Sequence, residues 1–287
     1  MPSIRAVVLS CLPHSVSSRL RILKSSLTSP NWIDETEIIA RLSPLSTESS
    51  PLILVDVGAH FGNVTKNFLN RGWSVVAYEP DPANRDEFNR LVGTHPRVEI
   101  SAAAASDKAT KSAYWYTSPV STGISTLAAF HDSHQPTANV DVVTLSEDLR
   151  HRGVQSVDFL KIDTEGFDYF ALKGFDWSYS PRFVVYEFED RKTIPLGYSL
   201  ADSTAYVAAR GYHLVYSVWE PIIEYGQRHR WRGLFTTAPS DIGSCWGNVL
   251  CFRDETDLER CLQKFSSRAT RLLDELRLGK TRSGTLP

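Results

Sequence analysis

The sequence predicts an α/β fold organised around a doubly wound, mostly parallel sheet. Three observations predict it. Strand-like and helix-like segments alternate along most of the chain, as repeated βαβ units require. The apolar run Leu52-Ile53-Leu54-Val55 contains β-branched residues and is too short for a helix, so it reads as a central strand buried on both faces. That run leads into Asp56-Val57-Gly58-Ala59-His60-Phe61-Gly62, a glycine loop that opens a helical segment. In an open α/β sheet, ligands bind beyond the carboxyl ends of the strands, where such loops lie.

The elements follow in order. Residues 1–33 carry Arg5, Arg19, Arg21 and Lys24, many serines and no acid before Asp34. They read as the start of a basic helical flank, with an organelle transit peptide as the alternative. Residues 43–51 are turn-rich and form a linker, so the flank and linker span 1–51 and the main domain spans 52–287. Asn63–Asn70 reads as a helix and Ser74–Tyr78 as a strand. Asp81-Pro82 is an N-cap followed by proline at the first helical position, and that helix runs to about Val92. Val98–Ser101 and Ser112–Tyr116 read as strands, Ala128–Thr137 as a loop over the site, Val157–Ile162 as a strand, Phe167–Leu172 as a helix and Phe183–Phe188 as a strand. Ser199 and Asp202 stand at capping-box spacing at the head of a helix reaching Ala209. Tyr212–Val218 and Asn248–Phe252 complete the strands, and Asp254–Leu278 is an amphipathic helix.

The totals narrow the function. At 287 residues, with 42% hydrophobic and 22% charged residues, the composition is that of a globular protein. A net charge of −2 gives no global attraction to nucleic acid or an anionic membrane, and no apolar run is long enough to span a bilayer. Cys11, Cys245, Cys251 and Cys261 form no C-x-x-C pair, so they read as reduced thiols in a cytoplasmic setting. Oligomeric state is left open.

The glycine loop has a second acid in register with it. Glu79 ends the next strand, 21 residues after Gly58, where a carboxylate accepts hydrogen bonds from ribose hydroxyls. Both the dinucleotide fingerprint G-x-G-x-x-G and the phosphate loop G-x-x-x-x-G-K-[ST] are missing. An acid at Asp56 repels a pyrophosphate but suits S-adenosyl-L-methionine, which has no phosphate and a cationic sulfonium.

At this point the chain resembles FkbM-type methyltransferases, a branch of the class I family. The matching pieces are Val55 to Gly62, Tyr78-Glu79-Pro80, Ala105-Ser106-Asp107-Lys108, Leu160-Lys161-Ile162-Asp163-Thr164-Glu165-Gly166 and Val185-Tyr186-Glu187. The Lys-Ile-Asp-x-Glu-Gly piece is the most specific. The resemblance implies a Rossmann-like sheet of seven strands and methyl transfer from S-adenosylmethionine to a hydroxyl of a sugar, glycan or natural product. It implies that Asp56, Gly58 and Gly62 line the cofactor, that Glu79 holds its ribose, that Ser106 and Asp107 sit near the adenine, and Asp163 near the methionine end. The family often has asparagine where His60 stands, and commonly valine at Thr164 and glutamate at Asp168.

Methyl transfer needs in-line approach, a water-poor pocket and a group that takes the hydroxyl proton. Asp163 and Glu165, at the end of a central strand, are candidate bases, although Glu165 alternatively braces the Gly166 turn. Glu187 ends the neighbouring strand and could bind the acceptor or a metal; three acids do not specify a metal, and none is assigned. His60 lies in the cofactor loop, whereas His131 and His134 read as solvated loop residues. Residues 219–247 mix Trp219, Tyr225, Trp231 and Trp246 with Arg228, Arg230 and Arg232 and read as an acceptor-side insertion, with packing on the last strands as the alternative. The competing readings are a nicotinamide-dependent oxidoreductase and a binding module that keeps the fold without catalysis.

Overall fold

A computed structural model describes residues 34–223 and 229–264. The expectations for residues 1–33, for Tyr225 and Arg228, and for the C-terminal helix beyond residue 264 lie outside these residues. The described chain opens with α1 (Glu35–Leu42), which Asp34 caps by accepting from the backbone N–H groups of Thr36 and Glu37 at 3.0 and 3.1 Å. Then come β1 (Ile53–Val57), α2 (Asn63–Leu69), β2 (Ser74–Tyr78), α3 (Pro82–Val92) and β3 (Val98–Ser101). Asp81 caps α3 ahead of Pro82, as its sequence requires.

A small side sheet follows, made of β4 (Ala104–Ala105), β5 (Thr110–Thr117) and β6 (Gln135–Val143) in the order β4-β6-β5. The loop expected over Ala128–Thr137 therefore ends at Gln135, where β6 begins. The chain continues through α4 (Leu145–His151), β7 (Phe159–Ile162), α5 (Asp168–Lys173), β8 (Phe183–Glu189), α6 (Asp190–Thr193) and α7 (Leu200–Ala208). The Ser199–Asp202 capping box at the head of α7 is formed. Last are β9 (His213–Trp219), β10 (Trp231–Phe235) and β11 (Trp246–Phe252).

The main sheet has eight strands in the order β10-β9-β11-β8-β7-β1-β2-β3. This corrects the expected count of seven by one. Trp231–Phe235, inside the segment read as an insertion, adds an antiparallel edge strand to β9, with an irregular step in register between Trp231 and Gly233. Only β10 and β11 run against the rest, so the sheet is mostly parallel, as expected. Side chains alternate between two cores because both faces are covered. Val55, Val57, Leu160 and Ile162 pack with Leu149, Leu172 and Val207 of α4, α5 and α7. Leu54, Val75, Phe159 and Phe183 pack on the other face with Ile39, Phe68 and Phe88 of α1, α2 and α3. The helix of the N-terminal flank is thus part of the second core.

The order of the strands fixes where a ligand can sit. From β1 the chain moves outward through β2 and β3, then returns to β7 on the other side of β1. That reversal makes a crevice at the carboxyl ends of β1 and β7. Among the described residues, no helix is long and apolar enough to cross a membrane. Cys245, Cys251 and Cys261 are buried free thiols.

Candidate active site

A cavity of about 800 Å³ opens at this crevice, within the usual range for a ligand site. Its floor is the glycine loop. Gly58 has φ +75°, and its N–H and that of Ala59 both donate to the Tyr78 carbonyl at 2.9 and 3.0 Å. A Cβ on Gly58 would lie 1.8 Å from the carbonyl oxygen of Asp163, so the β1 and β7 tips approach each other only because that residue is glycine.

Glu79 lines the cavity and is 4% exposed. One carboxylate oxygen accepts from the His60 N–H at 2.7 Å; the other accepts from the Asp81 N–H at 2.9 Å and from the Asn84 amide at 3.3 Å. Burial pushes its carboxyl up to about 7, against the pull of these donors. His60 adopts φ +49° in the same loop, and its Nε2 lies 3.1 Å from the Thr122 hydroxyl. His60 therefore ties the loop to the segment around Thr122, Gly123, Ser125 and Leu127, which roofs the cavity.

Four expected cofactor residues lie off the cavity wall. Asp56 is fully buried behind it, accepting from the Thr65 hydroxyl at 2.7 Å and paired with Lys161 at 3.3 Å. Gly62, at φ +80°, makes room for the Phe88 ring and so packs α2 on α3. Ser106 and Asp107 lie one step past Ala103, Ala104 and Ala105, which with Trp115 do form the wall; Asp107 instead pairs with Lys173 at 3.0 Å.

The expected catalytic acids converge. Carboxylate oxygens of Asp163, Glu165 and Glu187 lie within 4.8 Å of one another. Asp163 is half-exposed, with Lys161 at 3.6 Å. Glu165 holds the left-handed backbone at φ +54°, uncommon outside glycine, and its turn is tied down by Thr126 and Tyr198, which donate to the carbonyls of Glu165 and Gly166 at 3.0 and 2.8 Å. Glu187 is buried beside it. Burial raises both carboxyls above their usual range, and the Lys192 ammonium opposes that rise.

Lys192 was not among the residues expected at the site. It is 3% exposed and contacts Glu165, Glu187 and Glu189 together. It follows Glu187 by five residues, but nothing in the local pattern distinguishes it from a solvated lysine. Trp219, Trp246, Asn248, His229 and, from α1, Glu35 also line the cavity. The Trp219 and Trp246 rings stack at 5.5 Å, and His229 meets Trp246 edge-on at 5.0 Å. Burial holds the His229 imidazole below its ordinary value. Glu35 accepts from Ser217 and Trp219 at 2.6 and 3.0 Å, and burial raises its carboxyl.

Trp231 points away to Ser217, and Arg232 pairs with Asp241 at 2.8 Å outside the wall. His134 takes backbone N–H bonds from Phe130 and His131 on Nδ1, and its Nε2 lies 2.8 Å from the Ile124 carbonyl, so it braces the loop before β6.

Comparison with known proteins adds to this geometry. The family model for the methyltransferase FkbM domain matches residues 56–214, more than half of the chain. A search of curated proteins finds no match. Among solved structures, the chain is similar to methyltransferase FkbM from Methylobacillus flagellatus KT, at 17% identity and a TM-score of 0.42, over 70% of this chain and 43% of that one. It is also similar to a TehB-like SAM-dependent methyltransferase from Corynebacterium glutamicum, at 12% identity and a TM-score of 0.40, over 84% and 98%. An rRNA methylase from Streptococcus thermophilus matches at 10% identity and a TM-score of 0.36, over 76% and 92%. The chain thus spans less than half the length of the first of these proteins. With the motifs at the tips of β1, β2, β7 and β8 and the family model spanning them all, the chain belongs to the FkbM-domain methyltransferases.

Proposed function

We propose that this chain transfers a methyl group from S-adenosylmethionine to a hydroxyl oxygen of a small-molecule or glycan acceptor. The charge of the cavity wall carries the reading. Among the described residues the wall holds six acidic side chains, Asp34, Glu35, Glu79, Asp163, Glu165 and Glu187, against one lysine, Lys161. Such a wall repels a pyrophosphate and attracts a sulfonium cation. The same field disfavours the nicotinamide-dependent alternative and a polyanionic acceptor such as nucleic acid.

The residues present fit the cofactor. Glu79 keeps lone pairs for ribose hydroxyls, the wall of Ala103, Ala104, Ala105 and Trp115 suits a flat purine, and half-exposed Asp163 suits a cationic end. Bound there, S-adenosylmethionine supplies an electrophilic methyl group. The chain's own work is to orient the acceptor, exclude water and move one proton. Trp246, half-buried and stacked on the buried Trp219, offers ring surface against which a sugar or an apolar ring packs. Glu165 takes the hydroxyl proton and Glu187 holds the acceptor. Asp56, Gly62, Ser106 and Asp107 act on the cofactor through the loops they brace. The buried thiols suit a reducing, cytoplasmic setting.

The test is transfer of labelled methyl from S-adenosylmethionine to a panel of glycans and polyhydroxylated natural products. Label appearing on a hydroxyl, and lost in Glu165→Gln, supports the reading. Label on no acceptor, or on RNA alone, overturns it.

A further inference from the structure

The surroundings of Lys192 do not balance in charge. Its Nζ lies 2.5 Å from Glu165, 3.1 Å from Glu187 and 3.0 Å from Glu189, and its side chain is 2% exposed. Glu189 has a second cation, Arg191, at 2.6 Å. That leaves one ammonium for three carboxyls, Glu165, Glu187 and Asp168, two of which approach within 4.8 Å. Buried carboxylates at that range do not all ionise; at least one keeps a proton near neutral pH.

The hydrogen bonds show which. Asp168 accepts from the Thr164 hydroxyl at 3.1 Å and from the N–H groups of Gly166 and Glu187, each at 3.3 Å. Burial raises its carboxyl to about 6, and these three donors limit that rise, so it is ionised at neutral pH. Glu165 has the shortest contact with Lys192. Among the described residues the side chains of Glu165 and Glu187 both receive only Lys192 and no backbone N–H, Glu165 at 2.5 Å and Glu187 at the longer distances of 3.1 and 3.3 Å. Glu187 is the group least supported as an anion.

We propose that Lys192 is a positioning residue that leaves Glu165 and Glu187 with a single proton, held on Glu187, so that a carboxylate and a carboxylic acid stand side by side. Burial and the neighbouring Glu165 charge raise the Glu187 carboxyl well above its ordinary range, in keeping with this order. The other titratable groups facing the pair are Asp163, Asp168 and Tyr198, with Glu189, His134 and His229 facing Lys192. Resting on the methyl-transfer reading above, the arrangement selects an acceptor with two neighbouring oxygens. Its hydroxyl donates to Glu165, and its second oxygen accepts from Glu187. A vicinal diol or a hydroxy-ketone meets both demands.

The experiment is a pH titration of the full chain, without cofactor or acceptor, by carbon-13 NMR of labelled glutamate carboxyls. The two resonances are assigned with Glu165→Gln and Glu187→Gln. The expected result is that Glu165 ionises first and Glu187 only above neutral pH. Lys192→Arg keeps that order, and Lys192→Met moves Glu165 above neutral pH as well, which loss of packing alone would not do. Both glutamates ionising below neutral pH, Glu165 ionising last, or a Lys192→Met chain with an unmoved Glu165 would overturn the proposal. If Lys192→Met does not fold, the wild-type order and the Arg variant decide it. Because no methyl donor is present, the outcome is independent of whether the chain transfers methyl groups.

Discussion

The Lys161 ammonium lies 3.3 Å from Oδ1 of Asp56 and donates to the Gly58 carbonyl at 2.6 Å. The acid that opens the glycine loop is therefore the buried counter-ion of a lysine from the neighbouring strand. Together they prop the loop from behind. Burial pulls the Lys161 ammonium down, and Asp56 and Asp163 more than offset this, leaving it above its ordinary value. Lys161→Met strands the Asp56 charge and is expected to cost about 3–5 kcal/mol in urea unfolding. Adding Asp56→Asn, which keeps a partner for Thr65, should recover most of that loss. A single variant within about 0.5 kcal/mol of wild type would contradict the propping role.

Gly58→Ala should be far more damaging than Gly153→Ala. Both glycines have positive φ, +75° and +72°, but a Cβ on Gly153 meets open space whereas one on Gly58 meets the Asp163 carbonyl. Strain alone costs about 1–2 kcal/mol, so Gly153→Ala lowers the melting temperature modestly. Gly58→Ala adds a backbone collision and should also abolish cofactor binding. Equal melting temperatures for the two variants would show that the β1 and β7 tips can part.

Glu79 makes cofactor affinity and stability respond to pH in opposite directions. Its folded value of about 7 lies above the ordinary glutamate value of 4.5. The folded chain holds this proton more tightly than the unfolded one, so the contribution is complete below the unfolded value. It is lost as pH rises through about 7, a fall of about 3 kcal/mol. Glu79→Gln should flatten that part of the stability curve. Affinity for S-adenosylmethionine should rise over the same interval, because the ionised carboxylate accepts both ribose hydroxyls. Glu79→Ala should weaken binding by about 1.5–3 kcal/mol.

Glu165→Gln keeps the side chain's shape but cannot take a proton. It should slow single-turnover methyl transfer by about 10² to 10⁴ with cofactor affinity nearly unchanged. A rate within a few fold of wild type per folded molecule would leave Glu165 only the bracing of its turn.

The parts of this structure that were legible in the sequence are those written in short-range pattern. The apolar run of β1, the Asp81-Pro82 cap and the Ser199–Asp202 box each lie within a few residues, and each formed as expected. The strand tips carrying Glu79, Asp163, Glu165 and Glu187 were legible because an acid ending a buried strand is conspicuous. Asp56 and Gly62 share the same loop pattern, but which side chains face the cavity depends on β7 and α3, far away in sequence. β10 was hidden by Arg232 and Gly233, which break the apolar alternation of a strand. Lys192 and His229 reach the site only through tertiary packing, and no spacing rule marks them.

Titration calorimetry with S-adenosylmethionine and with NAD, run in parallel on the wild-type chain and Glu79→Ala, distinguishes the two cofactors at this site. One saturable site for S-adenosylmethionine, weakened in Glu79→Ala, and no heat with NAD are expected. Saturable binding of NAD, or no binding of S-adenosylmethionine by the folded wild-type chain, would contradict the methyl-transfer reading.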